Sequence, residues 1–260
     1  MGYEDAVCTC FYFVRRPTGY MEFSDKCLIL RTGGFREYDV WLRVLSPQCG
    51  IFPAFAFGGS KSRRRFCGCL DVFNFVDFRI QYNRRRDYYI LQEGSLLRGF
   101  RSLKRSGGRL GMAANCLRFL NSLQISSEDA AQVHKILLDS LTALEDEPSP
   151  SSFFPLIFKV ALVFCIGFRP DMSGCAGCGL SLDRIQNPGF DILGGRVFCS
   201  GCKSGARTVV SARNEALVFL HRIKDTGPVD WIRWSPPMRV RQDFLRLVDA
   251  FVNCHLQLEN

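Results

Sequence analysis

The chain has 260 residues, 47% of them hydrophobic and 23% charged, enough apolar side chain to fill the core of one or two domains. With 23 glycines and 11 prolines it falls outside the collagen-like and low-complexity classes, and its longest apolar stretch, residues 153–168, is interrupted by Pro155 and Lys159 and shorter than the about 20 residues that span a bilayer. The formal charge of +9 sits wholly in residues 1–110, which hold 19 Lys or Arg against 10 Asp or Glu, whereas residues 111–260 hold 15 of each.

The first ten residues carry two acids and no basic segment ahead of an apolar run, so they do not read as a secretory signal. Thirteen cysteines without such a signal suit a reducing compartment, and the cytoplasm is expected. From Lys26 to about Gln92 short β-rich runs alternate with turn residues: Lys26–Arg31, Tyr38–Ser46, Ile51–Phe57, Leu70–Ile80 and Asp87–Gln92. The fourth has the clearest period of two, with Leu70, Val72, Val76, Phe78 and Ile80 on one face. Five strands in about 70 residues predict a small closed sheet such as an OB-fold barrel, with an SH3-like barrel as the alternative.

After Glu93 the period becomes helical. Ser126 and Ser127 precede Glu128 and Asp129 as an N-cap with first-turn acids, and Ala130, Val133, Ile136, Leu137, Leu141 and Leu144 form an apolar stripe. Glu145–Ser152 reads as an exposed connection, Phe153–Phe168 as a core helix, and Ser211 and Pro237 as the openings of two further helices.

Cys175, Cys178, Cys199 and Cys202 are spaced C-x2-C-x20-C-x2-C, two matched knuckles that bring four thiolates to one tetrahedral point. Zinc is the expected ion, with an iron-sulfur cluster the alternative; four protein ligands leave no open position, so the metal is expected to be structural.

Between the third and fourth strands lies Gly58-Gly59-Ser60-Lys61-Ser62-Arg63-Arg64-Arg65, whose glycines allow close approach of backbone amides to phosphate. Arg84, Arg85 and Arg86 form a second basic turn. Arg101, Lys104 and Arg105 continue the patch, and Arg31 and Arg36 add to it from the first strand and its turn. These cations are the candidate DNA contacts, and Phe66, Phe73, Phe75, Tyr82, Tyr88 and Tyr89 are interleaved aromatics that either stack on bases or fill the barrel. His134, His221 and His255 fall on helical patterns outside any catalytic motif, so no enzyme, catalytic residue, cofactor-binding residue or small-molecule substrate is expected.

Three stretches, Cys27–Gly50, Phe57–Phe75 and Gly167–Gly179, resemble the RecO family of bacterial DNA repair and recombination mediators, and the likeness runs from about Met21 to the C-terminus. The resemblance implies an α+β fold: a five-stranded OB-fold barrel at 21–93, a helical domain at 94–172 and 207–260, and a four-cysteine zinc finger inserted at 173–206. Residues 1–20 depart from the pattern, so either Met21 is the start or the first 20 residues are a disordered extension. It further implies binding of single- and double-stranded DNA, strand annealing, and cooperation with RecR in loading RecA onto strands coated by single-strand-binding protein (SSB), in the RecFOR pathway of the DNA damage response. Recognition of the SSB C-terminal tail by the helical domain, and a place in the cytoplasm at the nucleoid, are implied with it. A zinc-ribbon regulator that reads a specific duplex sequence, and a nucleic-acid-modifying enzyme on an OB platform, are the rival readings.

Overall fold

The computed structural model describes residues 20–203 and 209–255; the expectation for the first 20 residues lies almost wholly outside them. Five strands, β1 (Tyr20–Gly34), β2 (Val40–Ser46), β3 (Gly50–Ala56), β4 (Phe75–Asn83) and β5 (Tyr88–Arg98), close into a barrel in the order β1-β2-β3-β5-β4. All neighbours are antiparallel except β3 and β5. This is the OB-fold expected from the sequence.

Closure depends on β1, whose first half pairs with β4 and whose second half pairs with β2, the register shifting between Ile29 and Arg31 where the strand changes partners. Inward alternation places Cys27, Ile29, Leu42, Val44, Ala54, Ala56, Val76, Phe78, Ile80 and Leu91 in the barrel core. Phe66 and Cys69 add to it from the β3–β4 loop. Phe78 reaches across to Gly94, where a Cβ would lie 2.7 Å from its ring, so only glycine fits there.

The fourth strand begins at Phe75 rather than Leu70. Residues 70–74 form a turn in which Phe73 takes a positive φ of 71° and Asn74 Nδ2 donates to the carbonyls of Gly68 and Cys69. The apolar alternation runs on into this turn because the turn itself is packed under the barrel, with Phe73 and Asn74 buried.

Seven α-helices follow among the described residues: α1 (Arg101–Arg105), α2 (Gly107–Asn121), α3 (Ser127–Asp146), α4 (Phe154–Cys165), α5 (Asn214–Arg222), α6 (Pro228–Trp231) and α7 (Met238–His255). Among the described residues the chain forms two compact units, one of those up to 105 with 125–142 and one of 106–124 with those from 143 onward. Most of α3 therefore belongs with the barrel. Ser126 Oγ accepts from the Asp129 N–H and donates to its carboxylate, capping α3 as the sequence predicts. The helix meets the barrel at Gly50, where a Cβ would lie 4.0 Å from that of Ala130, at Phe75, whose ring lies 5.7 Å from that of His134, and at Arg98, which donates to Thr142.

His134 is buried in this contact, and burial lowers its pKa below the usual 6.5 against the opposing effects of Asp25, the Lys26 main chain and Asp139. The folded state thus favours the neutral ring. As pH falls below about 6.5 the unfolded chain protonates first, so stability is lost from there down to the lower folded-state pKa. Urea unfolding at pH 7.5 and pH 5 is expected to show a smaller acid loss for His134→Gln than for the parent chain; equal losses would mean that His134 does not set it.

In the second unit α4 is buried along nearly its whole length, and its one cation, Lys159, reaches Asp249 of α7 at 3.2 Å while lying over the Phe119 ring. A four-stranded sheet, β6 (Asp171–Cys175), β7 (Gly189–Asp191), β8 (Arg196–Phe198) and β9 (Val209–Ser211), in the order β6-β8-β7-β9, carries the cysteine knuckles. Ser211 belongs to β9 and does not cap a helix; α5 starts at Asn214. Its first free N–H is met in tertiary fashion, since Arg213 N donates to Asp243 of α7 at 3.1 Å. That carboxylate also holds the Arg213 and Arg246 guanidinium groups.

Candidate metal centre and nucleic-acid interface

The Sγ atoms of Cys175, Cys178, Cys199 and Cys202 all lie within 4.8 Å of one another. A zinc ion with about 2.3 Å bonds to a tetrahedron of sulfurs separates them by about 3.8 Å, and Cys178 and Cys199 stand at 3.8 Å. The parallel pairing of β6 with β8 sets Cys175 beside Val197, so the two knuckles face each other. At Gly177 a Cβ would fall 2.8 Å from the Cys202 Cβ, so the first knuckle closes only around glycine.

Burial opposes ionisation of Cys175, yet N–H groups of Cys199, Cys178 and Gly177 aimed at its sulfur bring its pKa down to about 6. Cys202, hydrogen-bonded by the other three thiols, is pushed up to about 12. A divalent cation at the centre of the four sulfurs would hold them as thiolates. The donors fit a metal of zinc type.

The candidate DNA contacts fall into two groups. Arg36 lies in the β1–β2 turn, Lys61, Arg63, Arg64 and Arg65 in the β3–β4 loop, and Arg84, Arg85 and Arg86 in the β4–β5 turn, all exposed. The first two loops are tied together: Gly58 N donates to Asp39, Ser60 N and Oγ to the Tyr38 carbonyl, and Lys61 Nζ lies 4.8 Å from the centre of the Tyr38 ring. The β4–β5 turn joins them through Tyr88, whose ring meets Phe55 of β3 at 5.8 Å. Arg65 braces the loop, its guanidinium donating to the carbonyls of Phe57 at 2.7 Å and Gln92 at 3.5 Å while its own carbonyl accepts from Gly94.

Arg101, Lys104 and Arg105 stand apart. They follow the C-terminal end of β5, an eleven-residue strand whose other end carries the Arg84–Arg86 turn, a separation of about 30 Å along the strand. Lys104 is half-buried and its Nζ lies 2.6 Å from Asn74 Oδ1, anchoring α1 to the turn before β4.

Arg31 occupies the outward face of β1, and its cross-strand neighbour is Arg43 of β2. Burial and then the Arg31 charge lower the Arg43 pKa, and Arg43 Nε is buried with no hydrogen-bond partner among the described residues. Beside this pair Trp41 lies across Gly33, where a Cβ would be 2.4 Å from the indole nitrogen. Phe55 is the register partner of Trp41. Around Phe55 cluster Phe35 at 5.2 Å and Phe57 at 6.2 Å, with Phe35 half-exposed.

Of the aromatics singled out in the sequence, Phe66 and Phe73 are buried and Phe75 packs on His134. Tyr82 and Tyr89 stack on each other and run inward to Phe52, leaving Tyr88 on the outer face. Trp41, Arg43, Phe35, Phe55 and Phe57 were missed. The signal that marks them is outward alternation against Leu42, Val44, Ala54 and Ala56, and it is readable only once the strand register is known.

The family model for recombination protein O N terminal matches residues 21–100, and that for recombination protein O C terminal matches residues 105–260. Among curated relatives, the DNA repair protein RecO of Maridesulfovibrio salexigens is 38% identical over 238 residues, covering 91% of this chain and 95% of the relative. That of Solidesulfovibrio magneticus is 40% identical over 240 residues (92% and 96%), and that of Lawsonia intracellularis is 36% identical over 240 residues (91% and 95%).

Proposed function

Because the chain belongs to the recombination protein O family, we propose that it is a recombination mediator in DNA repair that binds single- and double-stranded DNA and anneals complementary strands without nucleotide hydrolysis. The observation that carries this reading is the junction of three basic loops at one side of the barrel, tied together by the Tyr38, Ser60 and Gly58 contacts and by the Phe55–Tyr88 ring pair. The outer face of strands 2 and 3, with the loops that flank it, is where OB-folds take oligonucleotides.

Arg36, Lys61, Arg63, Arg64 and Arg84–Arg86, with Arg31 on the strand, neutralise phosphates and release their counterions; Arg65 does so while holding the loop in shape. Lys104 fixes α1, and Arg101 and Arg105 offer a second, separate contact. Two strands held against one cationic surface repel each other less, and pairing follows. With RecR, and with the SSB C-terminal tail on the helical part, the protein helps load RecA onto coated strands in the cytoplasm. No described helix is long and apolar enough to cross a membrane.

One zinc ion, bound by Cys175, Cys178, Cys199 and Cys202, supplies a closed cross-link between the knuckles and leaves no position for substrate. Among the described residues of this lobe there is one three-residue helical turn, Leu182–Arg184, and no α-helix to enter a major groove, so a sequence-specific regulator gains no support.

Complementary strands coated with SSB and mixed with the purified protein test the reading. Annealing is expected to speed up equally with and without magnesium-ATP, and duplexes of random sequence are expected to bind alike. A requirement for ATP, or one preferred duplex, would overturn it.

A further inference from the structure

We propose that Cys67 and Cys69 form an oxidation site, at which a hydroperoxide closes a reversible disulfide and frees the basic β3–β4 loop from the edge of β5. The consequence for binding rests on the nucleic-acid reading above; the site itself does not. Among the described residues β3 meets β5 only at Ala54 with Tyr89 and Phe55 with Ile90, so beyond Ile90 that edge of β5 has no strand beside it. The loop takes the strand's place. Gln92 O accepts from the Arg65 guanidinium at 3.5 Å, Gly94 N donates to the Arg65 carbonyl at 2.8 Å, and Gly94 O accepts from the Cys69 thiol at 3.1 Å. The Leu96 N–H is aimed at the same sulfur. Alternate residues of a strand turn their peptide groups to one side, and here a single thiol, donor and acceptor at once, stands in for a missing peptide unit.

Cys69 is 1% exposed, and burial pushes its thiol up against the pull of the Leu96 N–H, with the nearby Cys67 sulfur adding to the rise, so it keeps the proton that Gly94 O accepts. Cys67, two residues earlier, is exposed. Gly68 turns the chain between them at a φ of 65°, and Cys69 N closes the turn on the Phe66 carbonyl at 3.2 Å. At such a turn Cα atoms two residues apart come within about 6 Å, inside the about 4.4–6.8 Å that a disulfide spans. An exposed thiol that meets the oxidant and a sheltered one that resolves it are the pair this chemistry needs. Cys67 attacks the peroxide, the O–O bond breaks, and one water leaves while the sulfur becomes a sulfenic acid. The Cys69 sulfur then attacks that sulfur, the S–O bond breaks, and the hydroxyl departs with the Cys69 proton as a second water. Two thiols and one peroxide become one disulfide and two waters. Turned toward Cys67, the Cys69 sulfur has no proton for Gly94 O and leaves the Leu96 N–H, and buried peptide groups without partners are costly. The loop that carries Arg63 and Arg64 then comes away from β5.

The test treats the full zinc-loaded chain with hydrogen peroxide. Trypsin, cutting after Arg65 and Arg79, releases Phe66–Arg79, which holds Cys67 and Cys69 and no other cysteine. This peptide is expected to be lighter by two hydrogens and to resist alkylation until dithiothreitol restores both thiols. Hydrogen exchange at the Gly94 and Leu96 amides is expected to speed up at least about tenfold on oxidation. Affinity for a labelled thymidine oligomer at about 0.1 M salt is expected to fall about tenfold, as the loop arginines lose their fixed positions. Cys67→Ser, a surface change that leaves the Cys69 contacts in place, is expected to show none of these changes. A peptide that still takes two alkyl groups would overturn the site, as would the same changes in Cys67→Ser, which would trace them to the zinc thiolates. A disulfide without faster exchange would overturn the release of the loop. Faster exchange with unchanged oligomer affinity would uphold the site and its release of the loop, and overturn the consequence for binding; no oligomer binding by the reduced parent would sink the nucleic-acid reading and leave the site standing.

Discussion

Replacing Cys175 by serine is expected to strip the metal and to lower the melting temperature by about 6–12 °C, the shift produced by about 3 kcal/mol in a chain of 150–250 residues. The direction of the effect follows from the linkage between binding and folding: a metal held only by the folded lobe stabilises it, and its loss is set against the about 5–15 kcal/mol that holds a whole domain together. Cys175 is the sensitive position because it is the buried ligand and receives N–H groups from Cys199, Cys178 and Gly177. Metal content by atomic emission and melting by circular dichroism check this together, and a chelator is expected to lower the melting temperature of the parent chain to that of the variant. A variant that keeps one equivalent of metal and the parental melting temperature would show that the lobe folds without this ligand.

Replacing Arg63, Arg64, Arg84, Arg85 and Arg86 by alanine is expected to weaken single-strand binding by roughly 100-fold near 0.1 M salt and to flatten the dependence of log K on log salt by up to about 3–4 units, since each phosphate contact on a single strand carries about 0.7 of slope. The loss should be the same for any sequence, because phosphate contacts position the strand without reading it. Arg65 is left out of this set: its alanine variant also frees the Phe57 and Gln92 carbonyls and so mixes charge loss with a loosened loop. Arg101→Ala/Arg105→Ala, at the far end of β5, is expected to have a smaller effect on the slope. Identical salt slopes for the five-arginine variant and the parent would remove the basic loops from the interface.

The barrel was legible because its inner face alternates strictly, as in Val76, Phe78 and Ile80, whereas its extent was not. Tyr20–Asp25 joins β1 although Glu22, Ser24 and Asp25 carry no strand signal, because β4 offers it a partner along the whole length. Leu70–Asn74 showed the reverse: apolar alternation continued where the chain had already turned. The helix α2 had no clear mark, since Gly107, Gly108 and Gly111 weaken its propensity and Ser106 makes no side-chain cap. The start of α5 was misplaced because its cap is Asp243, 30 residues away in sequence. The four-cysteine cluster was the plainest reading, as each knuckle is complete within four residues. The basic loops were equally plain, but which rings lie beside them depends on which residues of β1, β2 and β3 stand opposite one another, and that is decided by the closure of the sheet.

The chain passes from the barrel unit into the second unit at 106, returns at 125 and leaves again at 143. Consequently neither half can be excised as one continuous piece. A fragment ending at 105 would lack α3 and leave Gly50 and Phe75 bare to water, and an exchange of the first hundred residues between relatives would have to carry 125–142 along with it to keep the His134–Phe75 seam matched.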